Sequence, residues 1–92
     1  MKQFMVVAYD IADDRRRQKT ANILEQYGLR CNESVFECLL TEAKIQKMKL
    51  QLSKIVDEGE DSVLYYYLCK NCVMKRENIG NRPKLLPEMV MI

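Results

Sequence analysis

Asp10 follows the apolar run Phe4-Met5-Val6-Val7-Ala8-Tyr9, and Ile11-Ala12-Asp13-Asp14 and then Arg15-Arg16-Arg17 come directly after it. A carboxylate at the carboxyl end of a strand, beside a helix start loaded with arginine, is a common setting for metal and phosphate chemistry. As a hard oxygen ligand, Asp10 can hold magnesium, which lowers the pKa of bound water and neutralises a phosphate oxygen. One carboxylate is a poor site by itself, whereas two copies related by a dimer axis would share one. The plainer reading, that Asp10 begins a turn or caps a helix, carries equal weight on spacing alone. Asp13 and Asp14 sit where a helix cap is required, so they read as caps rather than ligands.

Arg15, Arg16, Arg17 and Lys19 form a basic cluster able to neutralise phosphates, although such a cluster alone is usually a solvated helix face. The helical wheel puts Arg17 at the amino-terminal end of the inward stripe, aimed along the sheet edge towards Asp10, with Arg15 nearly opposite. Arg30, just past Gly28, is a second inward-looking cation. Ser34 and Phe36 offer a hydroxyl and a ring that can stack on a base, against the ordinary fate of a strand phenylalanine, which is core. The chain has no histidine. The usual general base near neutral pH and the commonest metal ligand are therefore missing, and hydrolysis would rest on carboxylates and a hard cation. Cys69-Lys70-Asn71-Cys72 has the spacing of half a zinc site, which a second copy, or Cys31 and Cys38, would have to complete. A redox role ranks lower still, because the pair follows a strand and is not expected to start a helix.

The elements that must position these groups are legible from periodicity. Residues 4–9 read as a central strand covered on both faces. Thr20, Ala21, Leu24 and Tyr27 recur at helical spacing, with Gly28 expected to end that helix. Residues 30–40 are extended, strongest from Val35 to Leu40, and the join within that segment is either a tight turn or a bulge. Thr41 caps a second helix whose stripe is Ile45, Met48, Leu52, Ile55 and Val56, closed by Gly59. Residues 62–69 form a strand containing Tyr65-Tyr66-Tyr67, expected in core or dimer packing. The order is β-α-β-β-α-β, the split arrangement of the ferredoxin-like fold in the α+β class. Both helices are expected on one sheet face, leaving the other to a partner. Residues 73–79 are read as a further strand and residues 80–83 as a turn. Residues 1–80 make the domain, and the apolar residues 81–92 are a C-terminal segment expected to add a strand to the partner protomer's sheet.

The 92 residues make one thin-cored domain. With 48% of them hydrophobic, more apolar surface exists than a small monomer hides, and a homodimer is expected. The net charge of +2, from 15 basic and 13 acidic residues, does not by itself announce nucleic acid. Its distribution says more, because the basic cluster is separate in sequence from Asp57, Glu58, Glu60 and Asp61. No apolar stretch approaches the ~20 residues of a membrane span. A cytoplasmic location with free cysteines is expected.

The ordered set Val7-Ala8-Tyr9-Asp10-Ile11, Asp13-Asp14-Arg15-Arg16-Arg17, Tyr27-Gly28 and Ser34-Val35-Phe36-Glu37-Cys38 resembles the small CRISPR-associated endonuclease family, the compact partner of the integrase in spacer acquisition. Glu60-Asp61-Ser62-Val63 and Leu68-Cys69-Lys70-Asn71-Cys72 look like that family's fourth strand and its end, so the likeness covers about residues 4–80. It implies a homodimer with sheets face to face and magnesium-dependent phosphodiesterase activity on RNA or DNA. The family's metal aspartate falls on Asp10, its first-helix arginine on Arg17, the arginine after the glycine on Arg30, and its Ser-Val-Phe motif on Ser34, Val35 and Phe36. Asn32 stands where many members carry glutamine. Glu33 brings a carboxylate beside the serine that would repel phosphate. Two other roles compete with the endonuclease. One is a non-catalytic dimeric bridge that holds DNA between integrase dimers, using Arg15, Arg16 and Lys19. The other is a toxin-like ribonuclease of a related ferredoxin-like family.

Overall fold

Side chains alternate across a strand, so an all-apolar strand must be covered on both sides. β1 (Lys2–Asp10) meets this condition at the centre of the sheet. Met5, Val7 and Tyr9 are buried on one face, while Phe4, Val6 and Ala8 point to the other. The computed structural model describes residues 1–80. The expected pairing of residues 81–92 with a partner's sheet, and most of the expected turn at 80–83, lie outside the described residues.

The chain continues through α1 (Asp14–Glu25), β2 (Gly28–Asn32), β3 (Val35–Thr41), α2 (Glu42–Ser53), β4 (Ser62–Leu68) and α3 (Lys70–Met74). The strands lie in the order β2-β3-β1-β4, and every neighbouring pair is antiparallel. β3 is thus inserted between β1 and β2, which gives the expected split β-α-β-β-α-β ferredoxin-like arrangement. α1 and α2 cover one face through Thr20, Ala21 and Leu24 and through Ile45, Met48 and Leu52. The two helices are joined at their ends by Tyr27, whose hydroxyl donates to Gln51 Oε1 at 2.5 Å.

Local chemistry accounts for most element ends. Asp13 caps α1 by accepting the Arg16 amide at 2.9 Å, and Thr41 Oγ1 accepts the Lys44 amide at 3.4 Å to start α2. α2 stops before the expected Gly59. The amides of Ile55 and Val56 both turn back to the Leu52 carbonyl at 3.0 Å, although Val56 still packs on the core. Gly59 lies instead in a turn organised by Asp57, whose carboxylate accepts its amide at 2.9 Å. The segment 30–40 contains both devices that the sequence left open. There is a bulge between Arg30 and Asn32, and then a tight turn in which Asn32 Oδ1 accepts the Ser34 amide at 3.2 Å.

The expected strand at residues 73–79 is replaced by α3. Cys69 leaves β4 in an extended conformation and caps a short helix, in which the Val73 amide donates to the Cys69 carbonyl at 3.1 Å. Turning the chain there lays Val73 over Phe4, and both are buried in a small second core on the sheet face that α1 and α2 do not cover. Arg76 reinforces this cover by an ion pair to Glu37 at 2.6 Å and by stacking 4.7 Å over the Phe4 ring. The described residues leave the far end of that face, towards Asp10, open, with Leu64 and Tyr66 both about half exposed.

Gly28 does not end α1 in a left-handed conformation, because α1 closes at Gln26 and Gly28 already belongs to β2. Glycine is required there by close approach: a Cβ would stand 2.3 Å from the Glu37 carbonyl oxygen and 2.5 Å from Cys38 Sγ. Gly28→Ala should therefore destabilise the domain by about 2 kcal/mol, since backbone must move to admit one methyl. Urea unfolding of the two proteins side by side measures it. Unchanged stability would show that β2 and β3 separate at no cost.

Candidate metal and phosphate site at the end of the first strand

Asp10 is the last residue of β1 and is exposed. It shares the incompletely covered face with Phe4, Val6 and Ala8, and its partner across the β1–β4 ladder is Ser62. On the other side the Tyr9 amide donates to the Ser34 carbonyl at 3.0 Å, so the β2–β3 turn abuts the same strand end. Asp10 therefore stands between the beginnings of two neighbouring elements, with Ser34 and Ser62 on either flank.

The loop after Asp10 is held from both sides. Asp61, whose side chain is inaccessible to solvent, accepts the Ala12 amide, Arg16 Nε and the Asp57 amide, each at 2.9 Å. A further Arg16 nitrogen reaches Asp61 Oδ1 at 3.2 Å and Glu60 at 3.2 Å. These donors, the Arg16 guanidinium first, hold the Asp61 carboxyl well below the usual carboxylate range. Arg17 works on the opposite polarity. It donates to the Ile11 carbonyl at 3.0–3.1 Å and the Ala12 carbonyl at 3.3 Å, and it pairs with Asp14 at 2.5 Å. The Ala12 amide and the Ile11 and Ala12 carbonyls are thus each met by a charged side chain.

This geometry changes several expected roles. Arg17 points to the backbone just beyond Asp10, rather than along the sheet edge to its carboxylate. Arg16 is tied to an acidic run that lies 44 and 45 residues away in sequence. The separation of basic and acidic clusters read from the sequence is therefore not a separation in space. Arg15 and Lys19 are exposed on α1. Phe36 is fully buried and stacks with Tyr9 at a centroid distance of 6.3 Å, because alternation along β3 turns it under the helices. A ring in that position supports the site and has no face free to stack on a base. Arg30 lies 5.6 Å over the Phe36 ring and donates to the Glu33 carbonyl at 2.7 Å, with Glu25 at 3.5 Å. β2–β3 register puts Arg30 on the helix-covered side of the sheet, opposite to Asp10.

Two residues that hold the site were not assigned roles from the sequence. Tyr9 anchors the β2–β3 turn by donating from its hydroxyl to the Glu33 carbonyl at 2.8 Å, and burial raises its pKa. Asp61 carried one available signal, a carboxylate immediately before an apolar strand, but Ala12 and Arg16, which it holds, are distant in sequence.

The described residues contain no cluster of three or more His, Cys, Asp or Glu placed to hold a metal. A hard cation at Asp10 thus finds one carboxylate in this chain, with serines on either flank, and fits only with further donors from a second copy, nucleic acid or water. None of the four cysteines is in a disulfide bond. Cys31 and Cys38 do not complete a zinc set with Cys69 and Cys72. The latter pair does start a helix, contrary to the sequence expectation, because Cys69 is the cap of α3.

A four-stranded antiparallel sheet of this order, backed by two helices and ending β1 in an exposed aspartate, defines a ferredoxin-like α+β domain with a strand-end carboxylate site. Residues 1–76 match the family described as CRISPR associated protein Cas2, and the chain belongs to that family. A relative from Synechocystis, named CRISPR-associated endoribonuclease Cas2 3, is 43% identical over 82 residues, covering 89% of each chain. The crystal structure of Streptococcus pyogenes Cas2 at pH 6.5 superposes with a TM-score of 0.75 at 34% identity, covering 84% of this chain and 99% of the other. A chain of a structure titled "Partial Cas6-RT-Cas1--Cas2 complex" gives a TM-score of 0.75 at 27% identity, covering 92% and 94%. No helix among the described residues is long and apolar enough to cross a membrane.

Removing the Asp61 carboxylate should loosen the loop that carries Asp10 and leave Arg16 without its buried partner. Asp61→Ala is expected to lower Tm by about 10 °C in a domain of this size. The pH dependence has a definite sign. A carboxyl with a depressed pKa contributes stability that is complete above its unfolded value of ~3.9 and is lost as pH falls below it. Thermal melts between about pH 5 and pH 2 should therefore fall more steeply for the wild type than for Asp61→Asn. Parallel curves would refute the assignment.

Proposed function

We propose that this chain is a subunit of CRISPR spacer acquisition that works as a homodimer and hydrolyses phosphodiester bonds of RNA or DNA with magnesium. The observation that carries this reading is the exposed Asp10 carboxylate at the rim of the open sheet face, in a chain of this family. An apolar sheet face with Leu64 and Tyr66 about half exposed favours a second copy as its occupant. A two-fold axis through that face would bring two Asp10 carboxylates towards one another, which meets the shortage of ligands in a single chain. A magnesium ion held there would lower the pKa of a coordinated water and neutralise a phosphate oxygen.

The chain's own residues supply position and charge. Asp61 and Arg17 fix the backbone immediately after Asp10, so the carboxylate is presented from a held loop. The part of the Arg17 side chain that remains exposed, 47%, leaves positive charge beside the strand end for a phosphate. Arg30 adds a second exposed cation at the neighbouring turn, on the other side of the sheet. Ser34 supports the approach through its turn, and Phe36 does so from beneath.

A second reading has its own support. The exposed Arg15 and Lys19 suit backbone contacts to a duplex, and one of the similar chains is part of a Cas6-RT-Cas1–Cas2 complex. In that reading the dimer bridges integrase subunits and DNA without cutting. Incubating short single-stranded RNA and double-stranded DNA with the wild type and with Asp10→Ala, in magnesium and in EDTA, separates the two. Magnesium-dependent cleavage reduced at least about 100-fold in the variant is expected. Equal cleavage by both proteins would remove Asp10 from the chemistry. No cleavage by either, with integrase binding retained, would leave the bridging role.

A further inference from the structure

Cys69 and Cys72 take no part in the strand-end site. Both are exposed, and their sulfur atoms lie 3.5 Å apart at the start of α3. Two thiols in contact need only side-chain rotation to reach the ~2.05 Å of a disulfide bond. The other cysteines differ. Cys38 is fully buried with its thiol pushed up to about 12, and burial also raises the Cys31 thiol. A tetrahedral zinc site needs four ligands, and the described residues gather no third donor to this pair. A two-electron dithiol–disulfide couple needs only the two sulfurs present.

We propose that Cys69 and Cys72 form a redox-active dithiol that closes to an intrachain disulfide by exchange with a low-molecular-weight disulfide. Cys69 is the attacking sulfur. The amide and the thiol of Cys72 both face it and lower its pKa, while the same contact raises that of Cys72. The Cys69 thiolate attacks the small disulfide, forming a mixed disulfide and expelling one small thiolate. Cys72 then gives its proton to solvent and attacks Cys69 Sγ, releasing the second small thiolate. Two protein thiols are oxidised by two electrons, and one small disulfide is reduced to two thiols. The bond ties together the first turn of α3, the turn that seats Val73 on Phe4. The inference does not depend on whether Asp10 cleaves nucleic acid.

The test uses the reduced full chain in glutathione buffers of graded ratio, quenched with an alkylating agent and mapped by mass spectrometry. Cys69 and Cys72 should lose alkylation together, with no glutathione retained and a mass decrease of about 2 Da per chain. Cys31 and Cys38 should remain alkylated when the protein is unfolded after quenching of the exposed thiols and then labelled. Cys72→Ser should trap one glutathione on Cys69, whereas Cys69→Ser should react at Cys72 about tenfold more slowly. Both substitutions are at exposed positions, and far-UV circular dichroism checks that the variants are folded. A glutathione adduct persisting on the wild type would overturn the proposal. So would a disulfide joining two chains, or zinc bound to the isolated protein that shields both thiols.

Discussion

The Asp61 carboxylate is the constraint on which the strand-end site depends. It stands just before β4, and its two oxygens take an amide from the loop after β1, an amide from the turn after α2 and the side chain of an α1 arginine. Two stretches far apart in sequence, residues 12–16 and 57–61, are thereby fixed around one buried charge. Such a charge is tolerable only because each lone-pair direction meets a donor. The same node sets where the Asp10 loop can go, and Arg17 completes it by taking the carbonyls that Asp61 cannot. Within the three-residue connection between a central strand and a helix, the Ala12 amide and the Ile11 and Ala12 carbonyls are thus met by charged side chains.

The two sheet faces are finished differently. One face is closed by α1 and α2 over a continuous apolar core. Among the described residues the other is closed at the Phe4 end, where α3 brings Val73 and Arg76 across it. Glu37 lies on this second face, and its charge is accommodated by Arg76. The Asp10 end keeps apolar side chains next to an exposed carboxylate. The proposed dimer contact and phosphate site would draw on both of these features.

The arginines illustrate how much a cluster in sequence understates its structure. Arg15, Arg16 and Arg17 are consecutive, yet one faces solvent, one is locked into the Asp61 node, and one wraps the loop backbone. Successive helical positions are about 100° apart, so three neighbours reach three environments. Reading the cluster as a single basic patch loses that division. Phe36 shows the converse: its place in a Ser-Val-Phe motif suggested a stacking surface, but strand parity puts the ring in the core.

Periodicity determined the split β-α-β-β-α-β order, the inward stripe of each helix and the position of Asp10 at a strand end. These are local consequences of alternation at two and 3.6 residues and of short-range caps such as Asp13 and Thr41. Only the tertiary structure decided the partner of Arg16, the role of Gly28, and the turn of residues 70–74 into a helix. Each of these depends on a group far along the chain: Asp61 for the arginine, the Glu37 carbonyl for the glycine, and the uncovered Phe4 ring for α3. Spacing in sequence carries no record of such contacts, because they exist only after the sheet has brought its strands together.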